Sequence, residues 1–295
     1  MSKNVSVIIP SLGRPTLKKC FFSLINQEIK PKEIILIDTS FTKQVKKIIN
    51  FKKCKFINIK YFNLKGASAS KARNFGIKKA TFDYLAFLDD DCMVKKDWLK
   101  IIFNCLKKNK NLIVKGENKI KKNFSFLSKI EYIRDEVFFK SFFYEDKNNI
   151  YSFFLDSKNF IAHKNIFIKR KIFFDERIIQ VEDLDFSLKL KQKKIKISYC
   201  DKAVIYHIKK INFLELFKKE YRKAFGLKII NDKWCGLFKK KLFFNYFLIK
   251  KKAEDKRKRL IKFFLKKESL FFKISFFLTD FLLNFWRSFL FFIFQ

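Results

Sequence analysis

The sequence predicts an α/β fold with a mainly parallel sheet flanked by helices, followed by a basic, Phe-rich helical extension. Over the first hundred residues, short strand-forming runs alternate with helical stretches, which favours parallel strands joined by helices. After residue 207 the chain becomes rich in Lys, Arg and Phe, with helical periodicity. We therefore expect two domains, over residues 1–207 and 208–295.

Each predicted element follows from a local pattern of apolar and polar residues. Strands are predicted at residues 5–9, 33–37, 55–62, 84–88, 111–120 and 160–168, with one or two more within 195–206. Helices are predicted at residues 16–27, 43–50, 68–79, 95–108 and 182–193, the first capped by Thr16. The segment 121–155 is aromatic and ambiguous. Ligands of such sheets bind outside the carboxyl ends of the strands, so site residues are expected there.

Composition limits the classes of protein that the chain can be. It has 295 residues, 48% of them hydrophobic, which supports a large core, and its formal net charge is +39. That charge suggests nucleic acid or an anionic membrane as partner. Abundant Lys, Phe, Ile and Asn have A/T-rich codons, however, so a biased genome could produce much of the excess. No nucleic-acid motif is recognised, and we expect no nucleic-acid partner.

The cysteines and the N-terminus bear on location. No pair among the six cysteines has metal-type CxxC spacing, and nothing suggests a disulfide scaffold. The first apolar run, residues 5–10, is too short for a signal peptide. We therefore expect a cytoplasmic chain.

Three carboxylates, Asp89, Asp90 and Asp91, directly follow the apolar run 84–88. Like charges at one strand end repel, and hard oxygen ligands suit Mg²⁺ or Mn²⁺. The alternative is a helix N-terminus, where aspartate is favoured. Asp38 ends the second strand and could accept hydrogen bonds from a nucleotide, although simple turn chemistry explains it equally well.

Three further segments are candidates. Residues 66–74 open a helix with small residues, Lys71 and Arg73, which could hold a diphosphate or be an ordinary capped helix. The acidic segment 182–185 also opens a helix, so it is either a cap or a source of a general base. His207 closes a strand, where a histidine is structural, exposed or a metal ligand.

Seven short motifs, taken in order, resemble the family 2 glycosyltransferases of the GT-A (Rossmann-like) fold, over roughly residues 4–230. They are Val-Ser-Val-Ile-Ile-Pro at 5–10, Ile-Ile-Leu-Ile-Asp at 34–38, Ala-Arg-Asn-Phe-Gly at 72–76, Leu-Asp-Asp-Asp at 88–91, Phe-Asp-Glu at 174–176, Glu-Asp-Leu-Asp at 182–185 and Val-Ile-Tyr-His at 204–207. Each motif is weak alone, but the ordered set is strong.

The resemblance implies an inverting, metal-dependent glycosyltransferase, transferring a hexose or N-acetylhexosamine from a nucleotide sugar to a glycan or lipid-linked acceptor. It implies nucleotide-sugar contacts by the following residues: Pro10, Asp38, Arg73, Asp89 and Asp90. It further implies Mn²⁺ or Mg²⁺ bound by Asp91, with His207 assisting, and Asp183 as catalytic base. An inactive GT-A scaffold in a membrane-associated glycan assembly complex is the alternative.

The chain departs from the family pattern at two positions. Thr39 occupies the place of a frequent second acid after Asp38, so the family's contacts to the base do not all carry over. Residues 11–14, Ser-Leu-Gly-Arg, replace a segment that often contains Asn. The basic segment 219–226 resembles one found after the core in some members, where Arg222 could reach the diphosphate.

The last 26 residues are dominated by Phe, Leu and Ile, but Lys273, Asp280 and Arg287 recur at intervals of seven. On a helix these charges form one stripe, joined by Asn284, which favours an amphipathic helix lying on a membrane. Lys and Arg clusters at 239–241, 250–252 and 256–259 would attract anionic headgroups. We expect a peripheral protein on the inner face of the membrane; packing of this helix against the protein is the alternative.

Overall fold

The computed structural model describes residues 3–42, 44–48, 57–108, 112–120, 124–146, 149–208, 211–237 and 243–293. Its strands are β1 Lys3–Ser11, β2 Pro31–Asp38, β3 Asn58–Asn63, β4 Tyr84–Leu88, β5 Cys92–Val94, β6 Ile113–Ile120, β7 Phe143–Asp146, β8 Asn149–Ser152, β9 Asn159–His163 and β10 Ile197–His207. Its helices are α1 Thr16–Ile25, α2 Gln44–Ile48, α3 Ala69–Lys79, α4 Trp98–Lys108, α5 Phe126–Ser141, α6 Asn165–Ile168, α7 Glu182–Gln192, α8 Phe213–Leu237, α9 Phe243–Leu265 and α10 Leu270–Ile293.

The strands form one mixed sheet in the order β3-β2-β1-β4-β9-β6-β10-β8-β7, with β5 paired to β10. β3, β2, β1 and β4 are parallel, and so are β6 and β10. β9 runs antiparallel between β4 and β6, and β5 and β8 are antiparallel to β10. The α/β fold class is thus confirmed, with the parallel strands interrupted at β9.

Two apolar cores cover the two faces of the sheet, since alternate residues of a strand point to opposite sides. Val7 and Leu36 face α1 and α4, whereas Ile8 and Ile37 face α3, α6 and α7. The central strands are buried on both faces, which explains their near-continuous apolar runs.

Most predicted elements are present, with three differences. Pro15, and not Thr16, is the N-cap residue of α1, because the helix already begins at Thr16. The run 160–168 is a strand only to His163; the rest forms the short helix α6. The ambiguous segment contains α5, β7 and β8. Parts of the predicted elements at 43–50, 55–62 and 111–120 lie outside the described residues.

The chain divides into two compact units that interleave along the sequence. The sheet unit comprises residues 1–122, 144–177 and 183–209, and the helical unit comprises residues 123–143, 178–182 and 210–295. The boundary between residues 207 and 208 stays a prediction.

The helical unit is built from α5, α8, α9 and α10. Ile130 and Val137 of α5 pack with Leu265 of α9 and Phe276 of α10 in one apolar cluster. A second cluster joins Leu216 of α8 to the buried Leu283 of α10 and further residues. In the described part of the chain, no helix has an apolar stretch long enough to cross a membrane.

A buried ion-pair network, which we call the helical-unit network, also holds α10. Arg134 of α5 donates to Asp280 (2.7 Å), to Glu220 of α8 (3.0 Å) and to Asn284 (3.3 Å). Arg287 donates to Glu220 (3.1 Å) and to Asn284 (2.7 Å). The charged stripe of α10 therefore faces α5 and α8, and its apolar face is exposed.

A disulfide joins Cys105 of α4 to Cys200 of β10. The two cysteines are 95 residues apart in the sequence, and which cysteines pair cannot be deduced from such spacing alone. The sequence therefore did not predict this disulfide.

Candidate active site

The predicted nucleotide-binding residues of β1 and β2 lie at adjacent strand ends. In the parallel register Pro10 pairs with Ile37, and Ser11 pairs with Asp38. Asp38 is fully buried: its Oδ1 accepts from Ser40 N (2.9 Å) and Ser40 Oγ (2.6 Å). The structure thus contains the turn chemistry that was the alternative for Asp38, and its nucleotide role stays a prediction.

Tyr61 of β3 supports the same carboxylate. Its hydroxyl donates to Asp38 Oδ2 at 2.8 Å. Burial, together with this hydrogen bond and the charge of Asp38, raises the pKa of Tyr61 to about 12. The Tyr61 hydroxyl therefore stays protonated near neutral pH and holds Asp38 in one orientation.

Arg73 and Asp89 form the first ion pair at the end of β4. Arg73 is almost fully buried on α3, and its Nη2 donates to Asp89 Oδ1 at 2.8 Å. Its guanidinium also stacks over the ring of Phe174 at 5.5 Å. Asp89 remains partly exposed, so this pair offers both a fixed cation and a reachable carboxylate to a ligand.

Asp90 is buried and points back toward β1. It accepts from Ser11 Oγ (2.8 Å), Leu12 N (3.1 Å) and Arg14 Nη1 (2.8 Å). Burial raises the pKa of Asp90 to about 6; Arg14 opposes the rise and Asp91 adds to it. Asp90 thus anchors the loop after β1, and the acidic run retains repulsion that a cation would reduce.

Asp91 and His207 meet because the short strand β5 pairs with the end of β10, placing Cys92 opposite His207. Asp91 Oδ1 lies 3.3 Å from His207 Nε2, and Asp91 Oδ2 lies 3.3 Å from Arg14 Nη1. The possible ligand atoms of Asp91, Cys92 and His207 all lie within 4.8 Å of one another.

This donor set fits a divalent cation through Asp91 and His207. Burial raises the pKa of the Cys92 thiol well above its ordinary value, with Asp91 adding to the rise, so the thiol stays protonated and is a poor ligand. A carboxylate and an imidazole leave further coordination positions for water and phosphate oxygens, as Mg²⁺ and Mn²⁺ require.

Two of the sequence motifs contact each other in the structure. Asn74 Nδ2 donates to Phe174 O (2.9 Å) and to Glu176 Oε1 (3.0 Å), and Phe174 N donates back to Asn74 Oδ1 (3.1 Å). Phe174 stacks on Phe186 of α7, with ring centroids 4.5 Å apart. The Phe-Asp-Glu motif therefore fixes α3 beside α7.

Asp183 lies in the first turn of α7 and is half-buried. Asp185, two residues further on, is fully buried and pairs with Lys189 at 2.9 Å. Val181, just before the helix, has φ 63°, a conformation that is strained for a β-branched residue. Asp183 is thus the more accessible of these two carboxylates.

Two basic residues near the acidic run were not indicated by any motif in the sequence. Arg14 lies 76 residues before Asp90, and the only signal was its place in the departing segment 11–14. Lys158 directly precedes Asn159 of β9, whose partner in β4 is Leu88, the residue before Asp89. Lys158 is ion-paired with the buried Asp156 at 2.6 Å.

A mixed α/β sheet with carboxylates gathered at its strand ends beside a buried arginine defines a GT-A-type protein. Residues 6–174, more than half of the chain, match the family model described as Glycosyl transferase family 2, and the chain belongs to this family.

Two relatives and one solved structure of similar fold show how far the likeness extends. An uncharacterized glycosyltransferase of Rickettsia bellii is 35% identical over 106 residues, 36% of this chain but only 15% of the relative. Poly(ribitol-phosphate) beta-N-acetylglucosaminyltransferase TarP of Staphylococcus aureus is 24% identical over 258 residues, 82% of this chain and 75% of TarP. The crystal structure of S. aureus TarS 1-349 in complex with UDP-GlcNAc has a TM-score of 0.58 at 20% identity, covering 89% of this chain and 81% of that one.

Proposed function

We propose that the chain is an inverting glycosyltransferase that moves a hexose or N-acetylhexosamine from a nucleotide-diphosphate donor to a hydroxyl of a glycan or lipid-linked acceptor. The observation that carries the proposal is the 3.3 Å approach of Asp91 and His207, beside the Arg73–Asp89 pair, at one edge of the sheet. A UDP-sugar is the donor that the UDP-GlcNAc complex of TarS supports.

The donor would bind along the ends of β1, β2 and β4. Pro10 and Asp38 would flank the nucleotide base, and Asp89 and Asp90 would contact the nucleotide sugar. Arg73, held by Asp89 and by the Phe174 ring, would approach the base or diphosphate with its orientation already fixed. Fixing the cation before binding lowers the cost of ordering it in the complex.

Asp91 and His207 would hold Mn²⁺ or Mg²⁺. When bound, the ion supplies positive charge that offsets the charge of the departing diphosphate. Asp91 offers its carboxylate oxygens, and His207 offers Nε2, which already points to Asp91.

Asp183 would act as general base. Its carboxylate would take the proton of the acceptor hydroxyl while the acceptor oxygen attacks the anomeric carbon of the donor. The bond from that carbon to the diphosphate oxygen breaks with both electrons leaving on the diphosphate. Attack opposite the leaving group inverts the anomeric configuration.

We also propose a peripheral location on the inner face of the membrane. The basic segments after residue 238 and the apolar face of α10 support this, because the inner leaflet carries negative charge. The Cys105–Cys200 disulfide counts against this location, because disulfides are rare in the cytoplasm. Counting thiols tests the compartment: six free cysteines in protein isolated without reductant would support the inner face, and four would support the disulfide and contradict the location.

The proposed activity is tested by screening nucleotide sugars for binding and hydrolysis with and without Mn²⁺ or Mg²⁺. Binding of a UDP-sugar that requires the ion, with slow release of UDP, would support the proposal. Binding without any turnover, with or without acceptor glycans, would favour the inactive scaffold.

A further inference from the structure

Helix α10 presents a continuous apolar face to solvent. Exposed positions recur every three or four residues from Leu270 to Ile293, and among those described only Ser288 is polar. Phe271 is 72% exposed and Phe281 is 68% exposed. At about 1.5 Å per residue the face is about 36 Å long. An apolar face of this length on a protein surface marks an interaction site.

This face cannot turn toward the protein, because the helical-unit network holds the opposite side of α10. Asp280 and Arg287 are bound to Arg134 and Glu220, both of which are buried. Rotation of α10 would break the pairs of Arg134 with Asp280 and of Glu220 with Arg287, which is costly for buried charges. The apolar face is therefore a fixed feature of the folded unit.

We propose that the apolar face of α10 lies in the interfacial layer of an anionic bilayer, with the helix axis parallel to the membrane. The inference specifies the surface by which the proposed glycosyltransferase meets its membrane. An interfacial helix buries its apolar side about 5–10 Å deep while its other side stays out of the hydrocarbon. Here the other side is bound to protein instead of water.

Charge favours a bilayer over a second copy of the chain as the occupant. Residues 210–295 contain 22 Lys and Arg but only seven Asp and Glu. Lys262, Lys266 and Lys267 are exposed directly before the apolar face begins at Leu270. Two copies would bring like charges together, whereas each cation near an anionic surface adds attraction.

The ion pairs of α10 also fix its orientation. A helix that crossed the bilayer would carry Asp280 and Arg287 into the hydrocarbon and break their pairs with Arg134 and Glu220. A helix lying in the membrane plane keeps every one of these pairs. The folded unit can therefore bind without rearrangement.

The test is co-sedimentation of the full chain with vesicles of phosphatidylcholine containing phosphatidylglycerol. The variant Phe277→Ser with Phe281→Ser removes two exposed rings and should weaken binding about 100-fold, at about tenfold per ring. The matched control, Phe22→Ser with Ile168→Ser, removes exposed apolar groups of α1 and α6 and should bind as the wild type does. Equal binding by both variants would overturn the proposal.

Insertion is tested separately by fluorescence. Phe281→Trp should be quenched by brominated acyl chains, whereas Phe22→Trp should not be. Absence of quenching in Phe281→Trp would overturn the proposal. The proposal would also be overturned if the wild-type chain formed a dimer in the absence of lipid and Phe277→Ser with Phe281→Ser dissociated that dimer. UDP-sugar binding measured without vesicles distinguishes the two proposals, because its failure rejects the transferase and leaves the vesicle results standing.

Discussion

Asp90 of the sheet unit and Glu220 of the helical unit are both buried carboxylates, but their surroundings shift the pKa in opposite directions. Burial raises the pKa of Asp90 to about 6 against the opposing charge of Arg14. Burial alone would also raise the pKa of Glu220, yet Lys223, Arg134 and Arg287 outweigh it and lower that pKa below its ordinary value. The acidic run thus retains repulsion that a ligand can relieve, whereas the acids of the helical-unit network, Glu220 and Asp280, are already paired with arginines. The first arrangement suits binding and the second suits a fixed fold.

The largest effect is expected for Asp91→Asn in the sheet unit. Loss of the carboxylate should reduce transfer by about 10³-fold, comparable to removing a main source of charge stabilisation. Metal-dependent UDP binding, measured by calorimetry, should weaken as well. The melting temperature should stay at or above that of the wild type, because one source of repulsion on Asp90 is removed. Asp83→Asn, an exposed carboxylate before the other end of β4, is the control. Unchanged turnover in Asp91→Asn would reject its metal role.

Asp183→Asn should come next, with transfer lowered by at least about 10²-fold, as is typical of a general base. Donor binding should be retained, since Asp183 is assigned to the acceptor. Asp185→Asn is the comparison within the same helix: it should reduce stability, because Lys189 loses its buried partner. If Asp183→Asn transfers at a normal rate, the base is Glu182 or Asp185.

Glu220→Gln should change stability and leave the chemistry intact. It removes the carboxylate that Arg134 and Arg287 share, although Arg134 keeps Asp280, and loss of one partner of a buried pair costs about 3–5 kcal/mol. Urea unfolding of the full chain measures the change. Asp232→Asn, which breaks an exposed pair with Lys228, should cost less than about 1 kcal/mol. Equal losses of unfolding free energy in the two variants would mean that the buried network stabilises the fold no more than an exposed ion pair does.

Gly226→Ala tests a close contact inside the helical unit. A Cβ at Gly226 of α8 would lie 2.3 Å from Gln180 O and 2.8 Å from Val181 Cγ2, so the segment before Asp183 must shift. We expect kcat to fall about tenfold with little change in donor binding, as for a slightly misplaced catalytic group. If residue 226 had no such close contact, alanine would instead stabilise α8 by about 1 kcal/mol and leave kcat unchanged, which would contradict the prediction.

The smallest effect is a pH dependence of stability. Because the folded-state pKa of Glu220 lies below its ordinary value of 4.5, its contribution is fully present above that pH and is lost as the pH falls through the folded-state pKa. Melting temperatures followed from neutral to acidic pH should fall less steeply in Glu220→Gln than in the wild type. An identical slope in both proteins would show that Glu220 does not contribute to acid sensitivity.

The fold was predictable where burial leaves a clear pattern. The parallel strands of the sheet unit are buried on both faces, so their apolar runs stand out in the sequence. The run 160–168 was misassigned in part because a short apolar segment suits a strand or a helix equally, and α6 follows β9 within it. α5 was missed because its aromatic and acidic residues face several partners and leave no single apolar stripe.

For the candidate site, the sequence predicted which acidic residues lie at strand ends but not which side chains contact each other there. Asp38 and the acidic run follow apolar runs directly, which a single sequence reveals. The approach of His207 to Asp91 depends on the three-residue strand β5, and the Arg14–Asp90 pair depends on contact across 76 residues. For α10, the spacing of charges predicted one stripe, but a period of seven cannot tell whether that stripe faces water or protein.

The interleaving of the two units has a practical consequence for shortening the chain. The helical unit draws α5 from residues 123–143 and the remaining helices from residues 210–295, so no single cut releases either unit whole. A fragment ending at residue 207 would keep α5 with Ile130, Val137 and Arg134 stripped of the side chains that cover them. Such a fragment would expose a new apolar surface and an unpaired arginine and is expected to aggregate. Domain engineering here has to follow spatial neighbours and not the linear order of the sequence.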